Sequence, residues 1–435
     1  MKNPGEKIMK KFLTALFITS FCFAEYVCDP CNPCDENDPC DGCSPCMPCE
    51  QPCPVFSPPP KPQDCGYAAP YLTQVACSSK LFVTASFLFW EAKQDNMELG
   101  HIYTYSTPFD PAQPEKRDEK IQTLKWNYHP GFKVGAGFNF DCDRWQLYGE
   151  YTYYRANTCG KMVLPDPPCS IQDNDYYKEN WLQPYWTNDC LSQVALDSDE
   201  DNEVIVTSGN GKWNLQLDLG DLELARQFYV GKCLIFRAFS ALRYASIKQT
   251  MKVSHQVNTS VSVFMALFDP DGIVQYDITH KLQSWGVGPR IGLDLLWELS
   301  CGFRIFCDSS ASILYTEYYK NTHSTNAEGT VYTGNLQPSS ESYNCTSTHC
   351  FDRDPCTLKS QAEITLGFGW GGYLNCSRWY LDFELGYTAN MFFDQNQFLQ
   401  QLNQTSYGAT EYSNLVGRGG NLIFHGITAT AKLDF

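Results

Sequence analysis

From about residue 80 onward, apolar side chains recur at every second position in runs of about ten residues, the period of a strand with two unlike faces. The clearest run is the last. Phe435, Leu433, Ala431, Ala429, Ile427 and Ile423 are apolar, with only His425 interrupting, and Asp434, Lys432, Thr430, Thr428, Gly426 and Phe424 lie between them. A terminal strand that ends on an aromatic residue with no polar tail predicts a closed sheet, because free chain ends in soluble domains usually fray. Phe435 is therefore read as the barrel-closing residue and insertion signal.

The same alternation predicts nine earlier strands. Phe132, Val134, Ala136, Phe138 and Phe140 alternate with polar or small residues, and after a turn at 141–144 come Trp145, Leu147, Gly149, Tyr151 and Tyr153. Trp213, Leu215, Leu217 and Leu219 begin another strand, whose phase slips at Gly220-Asp221 and reads as a bulge. Ile291, Leu293, Leu295 and Trp297 face away from Arg290 and Asp294. Ile364, Leu366, Phe368 and Trp370 face away from Glu363 and Thr365, and Trp379, Leu381, Phe383 and Leu385 from Arg378, Asp382 and Glu384. Runs of this length suffice for a tilted strand to cross hydrocarbon, and Trp and Tyr recur at their ends as interfacial girdles do. A large soluble all-β protein is the bland alternative; it would not need aromatics at so many strand ends.

Connection lengths give direction. Short turns at 141–144, 231–233, 298–302 and 371–378 alternate with long polar connections at 92–130, 156–212, 318–361 and 391–421. Outer-membrane barrels have short periplasmic turns and long external loops. The expected strands are 81–91, 132–140, 145–155, 213–230, 234–247, 285–297, 303–317, 362–371, 379–391 and 422–435. Segments 253–263 and 273–282 would add two more. The fold class is an all-β, transmembrane, antiparallel β-barrel of about 10–16 strands, with about 12 as the best single value.

The N-terminal region differs. Lys2, Lys7, Lys10 and Lys11 precede the apolar run 12–24, which reads as a secretory signal over residues 1–24 and is too short to span a bilayer as a helix. Residues 25–79 read as a Cys/Pro-rich periplasmic arm and 80–435 as the barrel. The chain has 22 cysteines, which in an exported protein points to disulfides; loss of Cys22 with the signal leaves an odd number, so at least one thiol is free or paired with another molecule. Cys28, Cys31, Cys34, Cys40, Cys43, Cys46 and Cys49 share one phase of a three-residue repeat, and Cys53 follows. Proline at this density favours polyproline II, in which residues three apart lie roughly 9 Å apart on one edge, too far for bridges between neighbours. Cys43, Cys46, Cys49, Cys53 and Pro54 also match a ferredoxin cysteine run. The missing partner run, the oxidising compartment and the stiffening prolines count against that cluster. By the expected topology Cys142, Cys233, Cys301 and Cys376 fall one in each short turn, on the arm's side. The predicted partners of these thiols are other cysteine-rich envelope proteins. Cys159, Cys169 and Cys190, and separately Cys345, Cys350 and Cys356, lie in two external loops, where local bridges are the simple reading.

Several separated segments carry a resemblance. Trp126-Asn-Tyr-His-Pro-Gly-Phe-Lys-Val-Gly-Ala-Gly-Phe138, Trp285-Gly-Val-Gly-Pro-Arg-Ile-Gly-Leu293 and Phe392-Phe-Asp-Gln-Asn-Gln-Phe398 resemble the Legionella-type pore-forming major outer-membrane proteins, also found in chlamydia-like bacteria. The resemblance covers about residues 81 to 435 and implies a β-barrel porin in the bacterial outer membrane. The arm lies outside that pattern and is similar in spirit to the disulfide-linked envelope proteins of chlamydiae.

The formal net charge of −17 disfavours nucleic acid as a partner. Seven histidines are scattered, and no H-E-x-x-H, G-x-S-x-G or phosphate-binding glycine loop occurs, so no enzyme, cofactor or metal is expected. The acidic stretch 197–203 lacks the glycine of a calcium loop. The function expected is passive diffusion of small solutes and ions through a lumen lined by Lys133, Glu150, Arg237, Arg243, Arg290, Asp294, Arg304, Asp382 and Glu384. The alternative is an envelope scaffold or adhesin that uses the barrel as an anchor. Outer-membrane lipid, the barrel-assembly machinery and a homo-oligomeric copy complete the expected partners.

Overall fold

The structure is a computed structural model. It describes residues 56–57, 67–70, 75 and 80–435, except 109–115, 141–144, 166–168, 173–175, 187–202, 232, 261–271, 334–338, 351–355, 375–377, 403–413 and 418. The signal segment, the repeat cysteines Cys28 to Cys53, and Cys142 and Cys376 lie outside the described residues.

Alternation becomes a ring. We label its strands β1 (Leu81–Gln94), β2 (Tyr128–Asn139), β3 (Trp145–Val163), β4 (Glu203–Val230), β5 (Leu234–Ser260), β6 (Gly272–Glu298), β7 (Phe303–Thr333), β8 (Cys356–Leu374), β9 (Trp379–Phe392) and β10 (Leu422–Asp434). Each pairs antiparallel with the next. β10 pairs back onto β1, from Leu422 opposite Gln94 to Asp434 opposite Phe82. The Phe435 amide donates to the Leu81 carbonyl, so the chain end is tied into the closing seam.

The ring has ten strands, not twelve. Residues 253–260 and 273–282 form no separate wall strands; they are the outer ends of β5 and β6, which stay in register with each other from Leu234/Trp297 to Thr259/Gly272. Much of what reads as long polar loop is likewise strand, including the far ends of β3, β4 and β7.

The expected bulge at Gly220-Asp221 is absent. β4 runs in unbroken register with β5 from Ser208 to Tyr229, and its irregularity lies at Val206/Ser208. The apolar residues change face instead. Leu222 and Leu224 point outward and are exposed, whereas Trp213, Leu215, Leu217 and Leu219 point inward and are buried. β5 does the same, with Leu242 and Tyr244 outside and Met251, Val253 and Val257 inside. The cause is the change of solvent along the strand. Beside lipid the outer face must be apolar and the inner face can be polar; above the membrane water lies outside, so the apolar residues turn in and pack.

Two levels follow. Around the membrane level, Val83, Phe87, Phe89, Phe132, Val134, Leu147, Tyr151, Ile291, Phe303, Ile313, Ile364, Leu366, Phe368, Leu385 and Ile427 form an exposed apolar belt. An apolar surface of that extent on a monomer marks a lipid or protein contact. Above it, the long strand ends enclose one apolar cluster containing Trp90, Tyr154, Trp213, Leu217, Met251, Tyr276 and Phe424. A separate four-stranded sheet of Lys116–Gln122, Gly100–Pro108, Tyr176–Pro184 and Cys169–Gln172 caps it, contributing Ile102 and Leu182. At the opposite, short-turn end, Phe56–Ser57 pairs with β8 and Tyr67–Pro70 with β4.

Candidate functional site in the barrel interior

All nine charged residues expected in the lumen face the interior of the ring, since each shares a face with inward neighbours across its ladder. The structure joins them into ion pairs and adds members that pattern reading missed. Arg243 on β5 makes a two-pronged contact with Asp221 on β4 (Nε–Oδ1 2.7 Å and Nη2–Oδ2 2.8 Å), and both side chains are only 1% exposed. Arg243 Nη1 also donates to Gln361 Oε1 at 2.6 Å and lies 3.3 Å from Glu363 Oε2 on β8. Lys133 on β2 reaches the other oxygen of Glu363 at 3.3 Å and Glu150 on β3 at 3.5 Å. Arg290 on β6 pairs with Glu223 at 2.6 Å and sits 3.8 Å from Glu363. Arg237 links Glu223 (2.9 Å) to Asp294 (2.7 Å).

Glu363 is thus a hub. β2 and β8 are not neighbours in the ring, nor are β5 and β8, so these pairs cross the lumen instead of following the wall. Nearer the short-turn end, Arg304 on β7 bridges Asp382 (2.5 Å) and Glu384 (2.7 Å) on β9, again skipping a strand. Hydroxyls finish the layer: Tyr148 donates to Glu150 at 2.9 Å, and Ser312 donates to Gln361 at 2.7 Å.

Glu363 was legible as inward by alternation, but nothing in the local pattern says that three cations converge on it. Asp221 and Glu223 were hidden because the leucines before them read as a lipid face. The inward glycines matter at one point here: a Cβ on Gly369 would meet the Arg304 guanidinium at 2.9 Å, so its absence leaves the arginine room to cross.

Above the charged layer the mouth is stopped by rings. Residues 393–398 fold over it: Gln395 donates to Ser284 at 3.1 Å, Lys359 holds Asp394 at 2.6 Å, and Phe398 is buried. Trp186 enters from the capping sheet, its indole N–H donating to the Glu98 carbonyl at 2.8 Å. It packs on Phe398 and His280, with ring centroids 6.0 and 5.0 Å away. The Phe-Asp-Gln-Asn-Gln-Phe segment singled out in the sequence is therefore the inner lid of the mouth.

The family model for the Legionella pneumophila major outer membrane protein precursor matches residues 74–434. The chain belongs to that family. It is a β-barrel of the bacterial outer membrane. No curated protein matches it in sequence. Among solved structures it is similar to the outer membrane protease OmpT of Escherichia coli, at 10% identity over 84% of this chain and 100% of that one, with a TM-score of 0.32. It is also similar to the P. putida toluene transporter TodX, at 7% identity over 82% and 89% of the two chains, with a TM-score of 0.23. Likeness at that level bears on neither activity nor solute.

The cysteines of this family member sort unevenly. Cys233 and Cys301 are free thiols in short turns, at one end of the barrel, and Cys233 accepts through its carbonyl from the Glu298 amide. Among the described residues of the outer loops, Cys159, Cys350 and Cys356 are free and Cys345 is in a disulfide, so the expected bridge from Cys345 to Cys350 or Cys356 is not formed; the side chains of Cys169 and Cys190 lie outside the described residues. Cys159 and Cys356 lie on β3 and β8 and Cys350 ends the strand Ser339–Cys350, so the ladders fix their positions. Cys307 is on β7 opposite Leu295 and Leu366, on the lipid-facing side of the wall.

Proposed function

We propose that the protein is an outer-membrane channel for passive diffusion of small polar solutes and ions, and that the arrangement described is its closed state. The observation that supports this is the cross-lumen charge layer centred on Glu363. Buried ion pairs roughly break even in stability, and replacing them with packed apolar residues often stabilises a protein. A barrel serving only as an anchor gains little from burying this many charges, whereas a path for polar solutes needs groups that exchange one partner for another. Lys133, Glu150, Arg237, Arg243, Arg290, Asp294, Arg304, Asp382 and Glu384 would line that path. The test is conductance of the purified protein in planar lipid bilayers. Discrete current steps at any pH between 7.5 and 4.5 support the channel; a correctly inserted protein that stays electrically silent across that whole range refutes it.

The second reading is an anchor that displays the capping sheet, and the apolar cluster filling the outer half of the ring favours it. It predicts silence in the same bilayers. For either reading we propose that Cys233, Cys301 and the N-terminal cysteines cross-link the protein to other cysteine-rich envelope proteins in the periplasm. Non-reducing electrophoresis of isolated envelopes tests this, with thiol-reversible high-mass species expected. No catalytic role is proposed.

A further inference from the structure

Among the described residues, four histidines sit in the stopper of the mouth and are buried there: His101, His255, His280 and His323. His280 on β6 and His323 on β7 face each other across the ladder, with His323 Nδ1 3.0 Å from His280 Nε2, and His323 Nε2 lies 3.1 Å from the Thr325 hydroxyl. His280 packs against both stopper rings, Trp186 at 5.0 Å and Phe398 at 6.1 Å between centroids. His255 on β5 holds the same stopper by its backbone: its Nε2–H donates to the Trp186 carbonyl at 2.9 Å, while its Nδ1 is buried with no hydrogen-bond partner.

This geometry accepts neutral rings and resists charged ones. In the neutral pair one imidazole donates and the other accepts; two imidazolium rings would set donor against donor about 3 Å apart. A second proton on His255 would have no acceptor. Burial lowers the affinity of His280 for a proton, and His323 lowers it further; burial brings His255 to about 4 despite its bond to Trp186. These groups lie outside the membrane level. His280 is 17 residues along β6 from Trp297, so at about 3.3 Å per residue and a tilt of about 40° it stands some 40 Å above the short turns.

Among the described residues, these groups face the histidines. From β5, Met251 and Val253 face the same interior as His255; Asp277 on β6 acts on His255 from the outer face in the raising direction. From β7 come His323 and Thr325, with His349 of the outer strand opposite His323 in register. From the lid comes Asp394, which is committed to Lys359 of β8. From the segment before the capping sheet comes Glu98, which meets Trp186 through its carbonyl. The capping sheet itself adds His101, edge-on to Tyr103 with centroids 3.8 Å apart.

We propose that Trp186 and Phe398 form an acid-released latch, in which protonation of the buried His280–His323 pair and of His255 expels both rings and frees the 393–398 lid from the mouth. A histidine held below its free value binds fewer protons folded than released. The latch is therefore fully closed above the free value of about 6.5 and loosens as pH falls toward about 4, the folded value of His255. That released rings open a route for solutes rests on the channel reading; the release itself does not.

The experiment is hydrogen exchange, read by mass spectrometry, on the full-length protein in phospholipid vesicles between pH 7.5 and 4.5, with rates corrected for intrinsic pH dependence. The expected result is at least a tenfold loss of protection at 185–186 and 393–398, with a midpoint between those two values, and no change in the membrane-level segments of β1 and β8. The double variant His280→Leu/His323→Leu should keep the lid protected to lower pH. Constant protection in the wild-type protein down to pH 4.5 overturns the proposal, as does loosening of the folded double variant at the wild-type midpoint. If the variant does not fold, the wild-type titration decides alone. Conductance recorded in the same lipid separates the two ideas: latch release without current refutes the channel and leaves the latch standing.

Discussion

Ile364 is half exposed on the outer face of β8, opposite Ser309 of β7 and Ala389 of β9. It lies six residues from Trp370 on the same strand. At about 3.3 Å per residue and a tilt of about 40°, it stands about 15 Å above the Trp370 girdle, near the middle of an apolar band about 25 Å tall. On a water-exposed surface Ile364→Arg would change stability by no more than about 0.5 kcal/mol. Facing lipid at mid-depth, it should cost about 2–4 kcal/mol, because the guanidinium must be carried into hydrocarbon or snorkel a long way to leave it. The assay is reversible denaturant unfolding in phospholipid vesicles, followed by tryptophan emission. Gln275→Arg serves as control, since Gln275 is exposed on the part of β6 above the membrane level, and it should shift stability by less than about 0.5 kcal/mol. Equal, small effects for both variants would refute the assignment of the apolar belt to lipid.

Glu363→Gln removes the shared partner of Lys133, Arg243 and Arg290. It should cost about 3 kcal/mol in the same unfolding assay, and on the channel reading it should raise bilayer conductance; a change under about 0.5 kcal/mol would show that the layer is already hydrated. Gly302→Ala should destabilise by about 1–2 kcal/mol or more, because Gly302 has φ +82° in the turn between β6 and β7 and an added Cβ would run into the Gly371 carbonyl. A melting temperature unchanged from wild type would refute that account of the turn. Cys301 is an exposed thiol in the same turn. A membrane-impermeant maleimide added to intact cells should leave it unlabelled and should modify it after the outer membrane is opened. Labelling of intact cells would invert the orientation.

How far the sequence could be read depends on the range of the interaction involved. The two-residue period is a local property of the backbone pleat, so all ten wall strands and the inward direction of the charged residues were legible, as was Phe435 at the closing seam. The strand number was misjudged because the apolar phase reverses where a strand leaves the bilayer. Met251 and Val253 on β5 then look like a fresh lipid face, when they are the inner face of the same strand. Trp213 to Leu219 misled in the same way, inviting a bulge at Gly220 that the ladder does not contain.

The charged layer and the stopper were beyond reach for another reason. Lys133 and Glu363 are 230 residues apart, and His280 and His323 are 43 apart. Their meeting depends on ring closure and on strand register, which fix which inward side chains share a height. By itself the sequence determined that this chain alternates, crosses a membrane with strands and keeps its polar face inside. Only the tertiary structure decided which charges bridge the lumen and which rings stop its mouth, because closing the sheet is what brings residues distant in sequence to the same level.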